Sequence, residues 1–192
     1  MGADFTFKVC TGGDGGVGKT TMLHRYVDNK FEFDTKMTIG VEIFKKTIVI
    51  EGEIEVDLQL WDFGGQDRFR FMLDGFVMGS NGALVLFDLT KMTTFNHIEQ
   101  WVELLRKHDP NLPIILIGAK DDLVDLISVK DEYAIEKAQE LNLFDYLKTS
   151  AKTDHNVDKA FQELIYKMLS KEGHTFISEI KRKYDFFSGS LL

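Results

Sequence analysis

Eight residues near the amino end, Gly13-Asp14-Gly15-Gly16-Val17-Gly18-Lys19-Thr20, have the types and spacing needed to hold a chain of phosphates. Glycines let consecutive backbone N–H groups turn inward around an anion with no Cβ in the way. The lysine adds a point charge for the terminal phosphates, and the threonine hydroxyl is a hard oxygen ligand suited to Mg²⁺. An apolar run, residues 5–10, precedes the segment. Thr21 and then Met22, Leu23, Tyr26 and Val27 follow it, the apolar ones at helical spacing. This strand–loop–helix context separates a phosphate loop from a glycine-rich turn with a stray lysine. The helix start also brings its positive dipole end to the anion.

A second stretch, Trp61-Asp62-Phe63-Gly64-Gly65-Gln66-Asp67-Arg68-Phe69, closes another apolar run. An acid at a strand end beside a phosphate loop is placed to steady a Mg²⁺-bound water. Gly64 and Gly65 let the backbone approach a phosphate and swing away. Gln66 is neutral, so it can hold a water without taking its proton. Taken alone, the stretch would read equally well as a Gly-Gly turn; the phosphate loop shifts the balance.

The elements that must position these groups alternate along the chain. Apolar runs predict strands at 5–10, 44–50, 54–61, 83–87 and 114–117, with a weaker sixth at 144–147. Helices are expected at 19–27, 69–78, 95–107, 131–140 and 157–169. In the last, Val157, Ala160, Phe161, Leu164, Ile165 and Met168 form one stripe. Strand–helix alternation predicts a three-layer α/β fold, a mostly parallel six-stranded sheet with helices on both faces. Glu51-Gly52-Glu53 joins two strands as a hairpin, which puts one antiparallel strand at the edge. Ligands of such sheets bind outside the carboxyl ends of the strands, where the phosphate loop lies.

The 192 residues fit one domain plus a tail, and 44% hydrophobic with 28% charged residues is the balance of a globular protein. A net charge of −8 argues against a nucleic-acid surface. The single cysteine, Cys10, excludes an internal disulfide and reads as a small buried hydrophobe. The five histidines show no metal-ligand spacing. No apolar stretch approaches the ~20 residues of a membrane helix. Met1-Gly2-Ala3-Asp4-Phe5-Thr6 fits a lipidation pattern, although the first strand begins almost at once.

Over about residues 5–170 the chain resembles the small GTPases of the Ras superfamily, the Rab branch most closely. The resemblance rests on five ordered motifs: Gly13–Thr20, Thr38-Ile39-Gly40, Asp62–Gln66, Gly118-Ala119-Lys120-Asp121-Asp122-Leu123 and Thr149-Ser150-Ala151-Lys152. It implies a P-loop NTPase fold and a GTP/GDP switch with slow Mg²⁺-dependent hydrolysis, in trafficking or signalling. Thr20, Thr38 and Asp62 would serve the metal. Lys19, Thr38 and Gln66 would serve catalysis, and Gly15 would leave room for Gln66. The nucleotide would meet Gly13, Asp14, Gly15, Gly16, Val17, Gly18, Lys19, Thr20, Thr21, Phe31, Thr38 and Gly65. Its guanine would be read by Lys120, Asp122, Leu123, Ser150, Ala151 and Lys152. An exchange factor, a GTPase-activating protein and effectors are implied as partners through residues 31–44 and 61–78, on a monomeric, cytoplasmic protein whose membrane attachment is open. Ile43, Trp61 and Phe76 fall on the apolar triad that meets Rab effectors, with plain core packing as the alternative for Trp61.

The chain also departs from that pattern. Ala119 stands where the family has asparagine, which implies a weaker hold on the base, about 1–3 kcal/mol or ten- to a hundredfold. Asp122 keeps the guanine preference and disfavours an ATPase. Phe63-Gly64 replaces the Rab Thr-Ala pair and resembles the Arf and Gα branches. Asp67 replaces a glutamate, and Thr35 stands where relatives carry a tyrosine. No arginine lies near Thr38; the nearest basic residue is Lys36. Ala119 and Thr35 support an alternative, a non-cycling nucleotide-binding adaptor with weakened guanine recognition, whereas the Phe63-Gly64 and Asp67 changes remove no catalytic group. Residues 1–170 are expected to form the GTPase domain and 171–192 a helical or flexible tail. That tail ends without the prenylation cysteines of Rab proteins. In it, Ile177, Ile180, Tyr184 and Phe187 could face either a membrane surface or the domain.

Overall fold

The computed structural model describes residues 2–31, 37–50, 54–65 and 73–172. The hairpin turn expected at 51–53, Thr35, Lys36, Gln66, Asp67, the start of the helix expected at 69–78 and the expected tail with Ile177, Ile180, Tyr184 and Phe187 lie outside these residues.

Strands β1 (Phe5–Gly12), β2 (Val41–Ile50), β3 (Ile54–Phe63), β4 (Gly82–Asp88), β5 (Ile114–Ala119) and β6 (Asp145–Thr149) form one sheet in the order β2-β3-β1-β4-β5-β6. Only the β2–β3 pair is antiparallel, with Ile50 opposite Ile54 and Val41 opposite Phe63. The other four pairings are parallel, so five strands present their carboxyl ends to one edge of the sheet. Edge and centre differ as burial demands. Every residue of β4 and β5 is buried, matching their unbroken apolar runs, whereas β2 has one buried residue and is exposed at half of its positions.

Among the described residues the helices are α1 (Lys19–Asp28), α2 (Asp74–Val77), α3 (Met92–Asn96), α4 (Ile98–Leu105), α5 (Asp131–Glu140) and α6 (Val157–Lys171), with a short 3-10 turn at Val124–Leu126. Met22, Leu23 and Tyr26 of α1 pack with Phe161, Leu164 and Met168 of α6 on one face of the sheet. Val77 of α2, Ile98, Trp101 and Leu105 of α4 and Ala134 and Ala138 of α5 cover the other. Cys10 is fully buried beside the Ser80 hydroxyl, and burial pushes its thiol up to about 11.

One expectation on helices changes, and one short turn is added. The single helix expected at 95–107 is two, α3 and α4, broken at His97, whose φ of −96° and ψ of 1° lie outside the helical well. Its hydrophobic pattern runs through the break, because the apolar faces of both pieces meet the same sheet. The 3-10 turn at Val124–Leu126 has no apolar periodicity to announce it. Strands β1, β3, β4 and β5 run one or two residues beyond the apolar runs, to Gly12, Phe63, Asp88 and Ala119.

Candidate nucleotide site

The loop between β1 and α1 carries three glycines with φ in the left-handed region, Gly13 (139°), Gly16 (76°) and Gly18 (107°). At Gly13 a Cβ would also lie 2.3 Å from the Leu86 carbonyl oxygen, so no side chain fits. Helix α1 starts with no capping side chain and no acidic residue in its first turn. Its orphan N–H groups and its positive end therefore face the loop rather than being spent on a carboxylate. Lys19 is only 6% exposed, and its ammonium donates to the carbonyls of Gly13 (2.7 Å) and Asp14 (2.9 Å). The Val17 side chain belongs to the core, so what this residue offers a ligand is backbone.

Three oxygens from three segments converge on the carboxylate at the end of β3. Thr20 Oγ1 donates to Asp62 Oδ2 at 2.5 Å, Thr38 Oγ1 donates to the same oxygen at 3.2 Å, and the two hydroxyls are 2.8 Å apart. Thr11 Oγ1, which the sequence reading did not single out, donates to Asp62 Oδ1 at 3.0 Å and fixes the carboxylate plane. Asp62 is fully buried. An all-oxygen set of two hydroxyls and a carboxylate suits Mg²⁺ and not a soft metal.

The residues after Asp62 are pressed against the loop. Gly15 N–H donates to Gly65 O at 3.1 Å, and Gly64 N–H donates to Gly40 O at 2.8 Å. A Cβ at Gly65 would lie 2.3 Å from Gly15 N, and one at Gly64 would lie 2.6 Å from Thr38 O. Both positions require glycine in this arrangement, because the obstacle is backbone. Gly15 is different: a Cβ there would meet nothing nearer than Met37 Sδ at 3.9 Å.

Beside the loop is a cavity of about 420 Å³ lined by Gly16, Val17, Gly18, Thr21, Phe31, Ala119, Lys120, Asp122, Leu123, Ala151 and Lys152, together with Met22 and Thr149. Of the base-reading set, Ser150 stands behind this wall. Its hydroxyl donates to Asp122 Oδ1 at 2.7 Å and aims the carboxylate. Asp121 N–H donates to Thr149 O, and Asp121 pairs with His155 at 2.9 Å, so the two loops are tied to each other. Ala119 is 6% exposed and offers the cavity a methyl group.

Lys120 spans both ends of the site. Its ammonium donates to Gly16 O (2.9 Å) and to Asp88 Oδ2 (2.7 Å). Burial raises the Asp88 carboxyl, but the bonds from Lys120 and from the Thr90 hydroxyl and N–H outweigh it and hold the group below its ordinary value. Asp88 was not among the expected residues. The signal was present, an acid at the carboxyl end of an apolar strand, the same reasoning that picked out Asp62.

Next to the Thr20–Thr38–Asp62 group, Ile43 of β2 pairs across the ladder with Trp61 of β3, and the Trp61 ring lies 6.0 Å from that of Phe76. Ile43 (47%) and Phe76 (40%) are exposed, while Trp61 is half-buried with Lys8 Nζ 4.1 Å over its ring. Trp61 thus packs against its neighbours and still contributes to an apolar surface. Gln66 lies outside the described residues.

A family model described as "Ras family" matches residues 8–170. The chain is 44% identical over 176 residues to Ras-related protein RABA4d of Arabidopsis thaliana, covering 90% of this chain and 78% of that one. It is 43% identical over 173 residues to Ras-related protein Rab11A of Lotus japonicus, covering 88% and 76%. With Ras-related protein YPTC6 of Chlamydomonas reinhardtii the identity is 40% over 173 residues, 88% and 79% of the two chains. A glycine loop, two threonine hydroxyls on a buried carboxylate and a cavity stand at the carboxyl ends of one sheet, and by these matches the chain belongs to the Ras family as a Rab-like small GTPase.

Proposed function

We propose that the protein is a GTP/GDP switch of trafficking or signalling whose own hydrolysis of GTP is slow. The observation that supports this most directly is the meeting of Thr20 and Thr38 on buried Asp62, with Gly65 lying on the phosphate loop. Thr20, Thr38 and Asp62 would hold Mg²⁺, which supplies positive charge against the β- and γ-phosphates. Lys19 and the loop N–H groups hold the same phosphates from the other side. Gln66 orients the attacking water. Such phosphoryl transfer needs little covalent help, so positioning and charge stabilisation carry it. With no arginine near Thr38 along the sequence, the intrinsic rate belongs at about 10⁻⁴–10⁻³ s⁻¹, and an arginine from a partner would raise it by about 10³–10⁵. Thr38 and Gly65 flank the phosphate loop, so a γ-phosphate bonded to both would order their segments and its loss would release them. The apolar surface of Ile43, Trp61 and Phe76 is where an effector would read that change.

The test is Gln66→Leu. It should lower single-turnover GTP hydrolysis at least tenfold while GTP affinity stays at the wild-type value. Hydrolysis at the wild-type rate would remove Gln66 from this role.

Ala119 in the wall of the base cavity favours a second reading, an adaptor that binds nucleotide as a structural ligand, with weakened guanine recognition, and does not cycle. Denaturing the purified protein, identifying the released nucleotide and following phosphate release over hours separates the two. Bound guanine nucleotide with no phosphate release would favour the adaptor.

A further inference from the structure

Asp14 is the one acidic side chain within the phosphate loop, and neither the phosphates nor the guanine-reading loops account for it. Its carboxylate points away from the cation cluster, toward the junction of α3 and α4. Oδ2 lies 2.6 Å from His97 Nδ1, and Oδ1 accepts from Trp101 Nε1 at 3.0 Å. Against a carboxylate, which only accepts, Nδ1 of His97 carries the proton. His97 is the residue at which the expected single helix breaks, and Trp101 lies one turn further on, its N–H bonded to His97 O. The break therefore aims the ring at the loop.

Trp101 is 1% exposed and lies directly beneath the loop. A Cβ on Gly12 would come 3.0 Å from its Cε3, so the close approach of β1 to this ring depends on glycine. Lys19 Nζ is 6.0 Å from the centroid of the same ring. The main chain of Asp14 is engaged as well: its carbonyl accepts from Lys19 Nζ, and the next N–H, that of Gly15, donates to Gly65 O. One residue is held by its side chain to α4 and by its backbone to the lysine and to the segment after Asp62.

We propose that His97 and Trp101, acting through Asp14, are positioning residues for the phosphate loop. They fix the Asp14–Gly15 peptide, and with it the seat of the Lys19 ammonium and the contact to Gly65. The inference rests on the guanine-nucleotide reading above. Its consequence is specific to the phosphate end: loss of the anchor speeds nucleotide release and leaves the choice of base unchanged, because Asp122 and Ser150 are held by other bonds.

The experiment measures release of a fluorescent GDP analogue from the full chain, with GTP-against-ATP competition and the thermal midpoint followed in parallel. His97→Leu removes the donor and should speed release about tenfold, the size of one hydrogen bond to a charged group. His97→Asn restores an N–H donor on a shorter side chain and should bring the rate back to within about threefold of wild type. Trp101→Phe keeps the packed ring, removes Nε1–H and should also speed release. Base preference should not move in any of the three. Wild-type release from His97→Leu, no rescue by His97→Asn, or faster release only in proportion to a lowered thermal midpoint would each overturn the inference. A wild-type protein that holds no guanine nucleotide would overturn the functional reading with it; one that holds it while His97→Leu behaves as wild type overturns the inference alone.

Discussion

The phosphate end and the base end of the site are built differently. At the phosphate end the obstacles are backbone: Gly13, Gly64 and Gly65 each lie within 2.6 Å of a main-chain atom at the point where a Cβ would stand. Asp62 and Lys19 are buried and bonded from several directions. At the base end the wall consists of two loops held by side chains, Ser150 on Asp122 and His155 on Asp121, with a methyl group at Ala119. Rigid main chain leaves one geometry for a phosphate chain, which is the same in every nucleotide. Side chains on loops can be exchanged one at a time, and Ala119 is such an exchange at the base end, beside the changes at Phe63-Gly64, Asp67 and Thr35 elsewhere in the chain.

That contrast can be broken most directly at Lys19. Lys19→Ala strips the loop of its ammonium and should weaken GTP roughly a hundred- to a thousandfold, read by calorimetry. A loss of less than tenfold would mean that the backbone alone carries the phosphates. At the opposite end, Ala119→Asn should sharpen the contrast by removing it. Restored side-chain bonds should tighten guanine nucleotides by roughly ten- to a hundredfold with no gain for ATP. Unchanged GTP affinity would show that the base end is not the weak one.

A smaller effect is expected from Gly64→Ala. The added Cβ must displace Thr38 O or Gly40. Overpacking of about 1–3 kcal/mol should weaken GTP about tenfold relative to GDP, since Thr38 is the residue displaced from Asp62. Equal loss for both nucleotides would place the strain outside the cation cluster.

The mildest test concerns Asp88, the acid that joins the two ends through Lys120. Its folded carboxyl sits below the ordinary 3.8, so its stabilising contribution is fully present above that value and is lost as the pH falls through the lowered one. The stability gap between wild type and Asp88→Asn, from urea unfolding, should be constant above about pH 5 and close as the pH drops below about 4. A gap that widens in acid would reverse the sign assigned to this group.

Much of this was legible in the residue order. Alternating apolar runs gave the sheet and its covering helices, and the glycine spacing around Lys19 gave the phosphate loop. Local chemistry decides those features, since backbone freedom and amphipathic period are written residue by residue. The break at His97 was not legible, because the apolar stripe of α3 and α4 runs through it. Thr11 was missed for a related reason: it matters through Asp62, a partner more than 30 residues away. Asp88 was legible as an acid closing an apolar strand, but its bond to Lys120 was not.

The sequence by itself determined the fold class, the phosphate loop, the order of the five motifs and the substitution at Ala119, all of which depend on residue type and short spacing. Only the tertiary structure decided that Thr20 and Thr38 share one carboxylate with Thr11 behind it, that Gly64 is packed on Thr38, and that Asp14 reaches His97 and Trp101. Those contacts join residues 18 to 87 positions apart, and no local rule relates positions that meet only because parallel strands end at the same edge of a sheet.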